Sequence, residues 1–155
     1  MPRPRETRSP RQPASTSAGY SGTPLVRKLG IAAGQTVALL GAPAGFPELL
    51  SPLPAGVTFV SRLSPGVDVA HLFVSRRSEL TRRLPALRAR LRDDGVLWVS
   101  WPKKTSGVPT DVSENIIRQA ALPIGLVDVK VCAVDETWSA LKLVVRRELR
   151  REQSR

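Results

Sequence analysis

The chain has 155 residues, 41% of them hydrophobic, a formal net charge of +11 and a pI near 11.3. That length holds one domain with a sizeable core. A single cysteine, Cys132, excludes an intrachain disulfide and suits a reducing compartment, and one cysteine with one histidine argues against a zinc site.

No apolar run approaches the ~18 residues of a membrane span. The N-terminus has arginines and prolines but no apolar segment of a secretory signal, so the expected location is cytoplasmic. The charge is uneven. Met1–Ala18 carries four arginines against Glu6, and Arg146–Arg155 carries five arginines against Glu148 and Glu152. Over half of the excess therefore sits on the two ends. A basic excess serves a nucleic acid, an anionic surface or an acidic partner. The preference for arginine over lysine, with plentiful alanine, equally fits a GC-rich coding bias.

In chain order, residues 1–19 are rich in Arg, Pro and Ser and are expected to be a disordered basic tail. The ordered domain is expected over residues 20–147, with a second basic tail at 148–155. Thr23-Pro24 reads as an N-cap followed by proline at the first helical position, and Leu25, Val26 and Leu29 form a short stripe closed by Gly30. Thr36–Leu40 is a compact apolar strand. It runs directly into Gly41-Ala42-Pro43-Ala44-Gly45, whose glycines permit close backbone approach. This is neither GxGxxG nor a P-loop, so Gly41 and Gly45 are only faint cofactor-binding candidates. A short helix around Glu48–Leu50 follows, then strands at Val57–Val60 and Val69–Val74.

Glu79–Arg92 places Leu80, Leu84, Leu87 and Leu91 on one helical face, with Pro85 predicting a kink or break. Its arginines read as a solvated face. Val96–Val99, in VLWVSW, is a buried strand that delivers Trp101, Pro102, Lys103 and Lys104 into a loop. Asp111 and Glu114 resemble a capping box ahead of a helix that carries Val112, Ile116, Ala120 and Ala121. Pro123 and Gly125 end it. Leu126–Val134 and Ala140–Arg146 alternate apolar with polar residues, which predicts an antiparallel hairpin with one wet face and Cys132 on its polar side.

Continuous apolar strands alternating with helices, then a half-exposed hairpin, predict a Rossmann-like three-layer α/β sandwich. Its sheet is mostly parallel with an antiparallel C-terminal edge. Ligands of such sheets bind beyond the carboxyl ends of the strands. The loops leaving those ends are Gly41–Pro47, Ser61-Arg62, Ser75–Arg77, Trp101–Pro109 and Asp135–Trp138. The ligand-binding candidates are accordingly Trp101, Lys103, Lys104, Asp135, Glu136 and Trp138. The lysines would serve as anion donors, the tryptophans as stacking surfaces, and Asp135 or Glu136 as acid or base if chemistry occurs. No catalytic or metal-ligating set emerges. His71, within VAHLFV, reads as a core histidine.

The segments GYSGTPLVRKLGI, VALLGAPAGF, WVSWPKK, SGVPTD and GLVDVKVCAVDETWSALKLVVRR together resemble a domain-of-unknown-function family, DUF3052, found largely in actinobacteria. The likeness spans Gly19–Arg147 and implies no activity. More remotely, the layout is similar to class I S-adenosylmethionine-dependent methyltransferases, which share a helix before the first strand, a glycine-containing loop after it and a terminal antiparallel hairpin. The chain departs from that pattern in three ways. No acidic residue precedes Gly41. Ser61-Arg62 stands where an acid would hold ribose hydroxyls. The link Arg62–Val67 is too short for a helical crossover.

These readings favour a non-enzymatic domain that binds an anionic ligand or a protein at the sheet rim. The alternatives are a small enzyme with a nucleotide-like cofactor, as a divergent methyltransferase, and nucleic-acid binding through the basic tails.

Overall fold

The computed structural model describes residues 22–150. The two expected tails lie largely outside them. The elements are α1 (Leu25–Lys28), β1 (Thr36–Leu40), α2 (Phe46–Leu49), β2 (Thr58–Val60), β3 (Val69–Phe73), α3 (Arg77–Arg90), β4 (Val96–Pro102), α4 (Glu114–Ala121), β5 (Leu126–Ala133) and β6 (Trp138–Val145). Short 3₁₀ turns lie at Lys104–Ser106, Leu122–Ile124 and Arg147–Leu149.

One six-stranded sheet runs in the order β2-β1-β3-β4-β6-β5. The first four strands are parallel, and β6 pairs antiparallel with both β4 and β5. This is the Rossmann-like layout with an antiparallel C-terminal edge. Side-chain alternation splits the core into two layers. Ala38, Leu40, Ala70, Leu72, Val74, Leu97 and Val99 face α3 and α4, where Leu80, Leu84, Leu87, Ile117 and Ala121 meet them. Val37, Val69, Phe73, Trp98 and Ala140 face the other way, onto Val26 of α1, Leu29 just after it and Phe46 of α2. Every residue of β3 is buried, as a central strand covered on both faces requires.

The connection from β2 to β3 crosses beneath β1 without a helix. Leu63 and Val67 sit buried in the α3/α4 layer, filling part of the space that a crossover helix occupies in longer sheets.

Several local expectations change. α3 starts earlier than expected and runs unbroken through Pro85, which is exposed. Without an N–H, Pro85 cannot bond the Thr81 carbonyl, and the packed leucines on either side hold the rod together across that lost bond. The cap of α4 is Ser113, whose side chain accepts from Ile116 N at 3.2 Å, and not Asp111. Asp111 Oδ1 instead accepts from Arg77 N at the start of α3, at 2.6 Å.

The regular alternation expected along the fifth strand is interrupted by a bulge between Asp128 and Lys130. Beyond it, Val131 pairs with Leu141 and Cys132 with Ala140. Cys132 therefore turns onto the α1 side, packed against the second core layer, and is not on a polar face. Burial pushes its thiol pKa up. Asp128 turns toward α4 and meets Arg118 at 2.9 Å. That guanidinium, which also pairs with Glu114, holds the Asp128 carboxyl below its usual range.

Candidate functional site

β4 ends at Pro102 and β6 begins at Trp138, and these two residues pair across the antiparallel ladder. Lys103 N then donates to Thr137 O at 2.7 Å. The loop carrying both lysines and the tip of the hairpin are thus joined directly, at the carboxyl end of the parallel strands. On the other side of β4, Thr110 Oγ1 donates to Ser75 O at 2.7 Å, and Asp111 holds Arg77 N. Three of the rim loops, Ser75–Arg77, Lys103–Asp111 and Asp135–Trp138, form one bonded unit.

The candidate side chains play unequal parts in it. Lys103 is half-buried and Lys104 exposed, and neither has an ion-pair partner among the described residues. Lys104 opens a 3₁₀ turn fixed by Ser106 Oγ, which donates to Lys103 O at 2.7 Å, and Gly107 leaves that turn at φ +82°. Glu136 is exposed. Asp135 is engaged otherwise than expected: its Oδ1 accepts from Thr137 N and Trp138 N, both at 2.8 Å. That is an Asx turn shaping the hairpin tip, and it engages one of the two carboxylate oxygens.

The two tryptophans share the rim but lie on opposite faces of the sheet. Trp101 is buried in the α3/α4 layer, 9% exposed, and offers no stacking surface. Trp138 is half-buried on the α1/α2 side, edge-on to Phe73 with ring centroids 5.2 Å apart.

Phe46, His71 and Phe73 fill the same layer. His71 stacks on Phe73 at 4.3 Å, and Phe46 meets both rings edge-on at 5.2 and 4.9 Å. Ser100 Oγ lies 2.6 Å from His71 Nε2, and burial lowers the imidazole pKa to about 3. This ring stack was not singled out as a group from the sequence. Its signal was the alternation of His71 and Phe73 in one strand, with Phe46 following the glycine loop.

Gly41 has φ +74°, and a Cβ there would stand 3.2 Å from Phe73 O, so the residue serves a turn pressed against β3. Gly45 also has positive φ, at +86°, and precedes α2 with open space around it. Elsewhere, a groove of about 250 Å³ lies between α3 and α4, lined by Arg77, Thr81, Leu84, Pro85, Ile116 and Gln119 among others. No group of three metal-ligating side chains exists among the described residues. None of their helices is long and apolar enough to cross a membrane.

Residues 66–147 match the model of a family described as a protein of unknown function, DUF3052. The chain belongs to this family. The matched span is shorter than the likeness read from the sequence. It runs from the turn before β3 to the end of β6 and includes both halves of the rim. No curated protein matches.

Among solved structures, the fold is similar to that of a protein described as a type 11 methyltransferase from Sulfolobus solfataricus. The TM-score is 0.51 at 12% identity, over 77% of this chain and 89% of that one. It is also similar to a ribosomal protein L11 methylase from Lactobacillus delbrueckii subsp. bulgaricus, at TM-score 0.50 and 13% identity, over 79% and 76%. At such identities the likeness shows the methyltransferase-like, Rossmann-like fold.

The residues at the strand ends do not fit an adenosyl cofactor. Exposed Arg62 stands at the end of β2 where ribose hydroxyls need an acceptor, and apolar Leu39 and Leu40 precede Gly41. Above β3, the Phe46 ring fills the layer.

Proposed function

We propose that this domain is a non-enzymatic binding module that takes an anionic group, free or displayed on a partner protein, at the carboxyl rim of its sheet. The observation that carries the reading is the charge of that rim. Arg62, Arg76, Arg77, Lys103 and Lys104 leave the ends of β2, β3 and β4, and none of them has an ion-pair partner among the described residues. Three arginines elsewhere do have acids within reach: Arg92 meets Asp68 and Asp94, Arg118 meets Glu114 and Asp128, and Arg146 meets Glu148. On the rim, Asp111 and Asp135 bind backbone N–H groups, which leaves Glu136 as the acid of the hairpin tip. Unpaired guanidinium and ammonium groups around one bonded loop unit suit phosphate or carboxylate oxygens.

Two reactive side chains are poorly placed for chemistry: His71 is buried and held neutral, and burial raises the thiol pKa of Cys132. Thermal melts with pyrophosphate, ADP and S-adenosylmethionine test the reading. A phosphate-bearing probe at a hundredfold its Kd adds about 2.7 kcal/mol to stability. The gain should vanish in Lys103→Ala/Lys104→Ala. Stabilisation by S-adenosylmethionine that survives this double change would instead favour a divergent methyltransferase.

A further inference from the structure

We infer that the groove between α3 and α4 takes the C-terminal residue of a partner peptide, with an apolar side chain and a free carboxylate. The feature that sets it apart from an ordinary helix crevice is Pro85. A helical carbonyl accepts from the N–H four residues on, and Pro85 has none to offer Thr81. Thr81 and Pro85 both line the groove, so the carbonyl left without its helical donor belongs to the groove wall.

Arg77, Thr81 and Pro85 are spaced four residues apart, one row along α3 that faces the groove. Arg77 stands at the rim end of that row. Asp111 takes its backbone N–H, and its guanidinium makes no ion pair among the described residues. Across the groove, α4 presents the exposed Gln119, whose amide also has no partner among them. Leu84, Ile116 and Ala120 make the lining between these polar groups apolar.

That set selects the occupant. An orphaned carbonyl is matched by an N–H, a guanidinium by a carboxylate, and an aliphatic lining by an aliphatic side chain. The last residue of a peptide carries all three. A phosphate compound finds one cation here and leaves the apolar lining bare, and a mid-chain segment has no main-chain carboxylate to offer. At about 250 Å³ the groove is below the ~300–1,000 Å³ of most small-molecule sites, which suits a chain end over a whole cofactor. Water satisfies each of these groups singly, whereas a chain end engages them together and covers the leucine and isoleucine between them. The groove shares Arg77 with the rim but none of its lysines, so stabilisation by pyrophosphate and binding of a peptide are separate outcomes.

The test is NMR titration of the 15N-labelled full chain with acetyl-Gly-Ala-Leu. Amide shifts should concentrate at residues 77–85 and 116–120. Arg77→Gln should weaken the free acid about tenfold and leave the C-terminal amide of the same peptide, already weak, unchanged. Pro85→Ala restores the N–H that satisfies the Thr81 carbonyl. It should weaken the peptide about three- to tenfold while the melting temperature stays at or above the parent's, a loss of binding without loss of fold. An N-methyl-leucine analogue, which cannot donate, should bind the parent as weakly and be insensitive to Pro85→Ala. The inference is overturned if about 10 mM peptide shifts no groove amide, or if the amide binds as well as the acid. It is also overturned if Pro85→Ala leaves the affinity unchanged, or if the groove amides shift with protein concentration alone, which would assign the groove to a second copy of this chain.

Discussion

His71 shows how one side chain couples the core to pH. Its ring lies between β1 and β4 positions, stacked on Phe73 and bonded to Ser100, with 2% of its surface exposed. The unfolded chain takes up a proton at this group near pH 6.5, and the folded chain not until about pH 3. Between those values the unfolded state binds more protons. Stability contributed by the neutral ring is therefore complete above 6.5 and falls as pH drops toward 3. The difference corresponds to on the order of 4 to 5 kcal/mol at the acid end. Urea unfolding from pH 7 to pH 4 should show about 3 kcal/mol of this loss in the parent protein. His71→Gln, which keeps a hydrogen-bonding side chain but cannot charge, should lack that part of the slope. Equal slopes in the two proteins would mean that the ring already ionises in the fold.

Among the elements, α3 and α4 show which local signals survive folding. The leucine period of α3 was plain in the sequence and survives as its buried face. The stop signal of Pro85 did not end the helix, because packing of Leu80, Leu84 and Leu87 outweighs one lost bond. The Asp111/Glu114 spacing imitated a capping box, yet capping is decided by backbone angles. Ser113 has the extended conformation of an N-cap, with φ −143° and ψ 173°. Asp111 is drawn instead to α3, 34 residues back in the chain, a long-range contact that no local pattern encodes. Ser113→Ala should therefore cost about 1 kcal/mol, as removal of an N-cap does. Glu114→Gln should leave that cap intact. A denaturant midpoint unaffected by Ser113→Ala would deny the cap.

For the molecule as a whole, strand class was legible because two-sided burial writes uninterrupted apolar runs and one-sided burial writes alternation. The meeting of the lysine loop with the hairpin was legible too, since the adjoining strands had to pair. The faces of Trp101 and Trp138 were not. Their sides depend on register, and Trp101 is opposite Ser139 while Trp138 is opposite Pro102. The bulge was hidden because Val127, Val129 and Val131 look alike on either side of it. The short crossover beneath β1 carries the chain from β2 to β3 without a helix. Leu63, 3% exposed, is one of two apolar plugs in it. Leu63→Ala should remove about 2 to 5 kcal/mol, read by chemical unfolding. A loss below about 1 kcal/mol would show that the layer closes without it.

The bulge beside Val129 has a consequence for crowded solution. β5 is one of the two outer strands, and Val129 and Val131 are 52% and 43% exposed on it. A straight outer strand so rich in valine would be a template onto which other chains could add and grow fibres. The extra residue breaks the ladder's repeat, and Lys130 places a charge beside the break. An incoming strand finds no unbroken row of partners, so the sheet ends where this chain ends it.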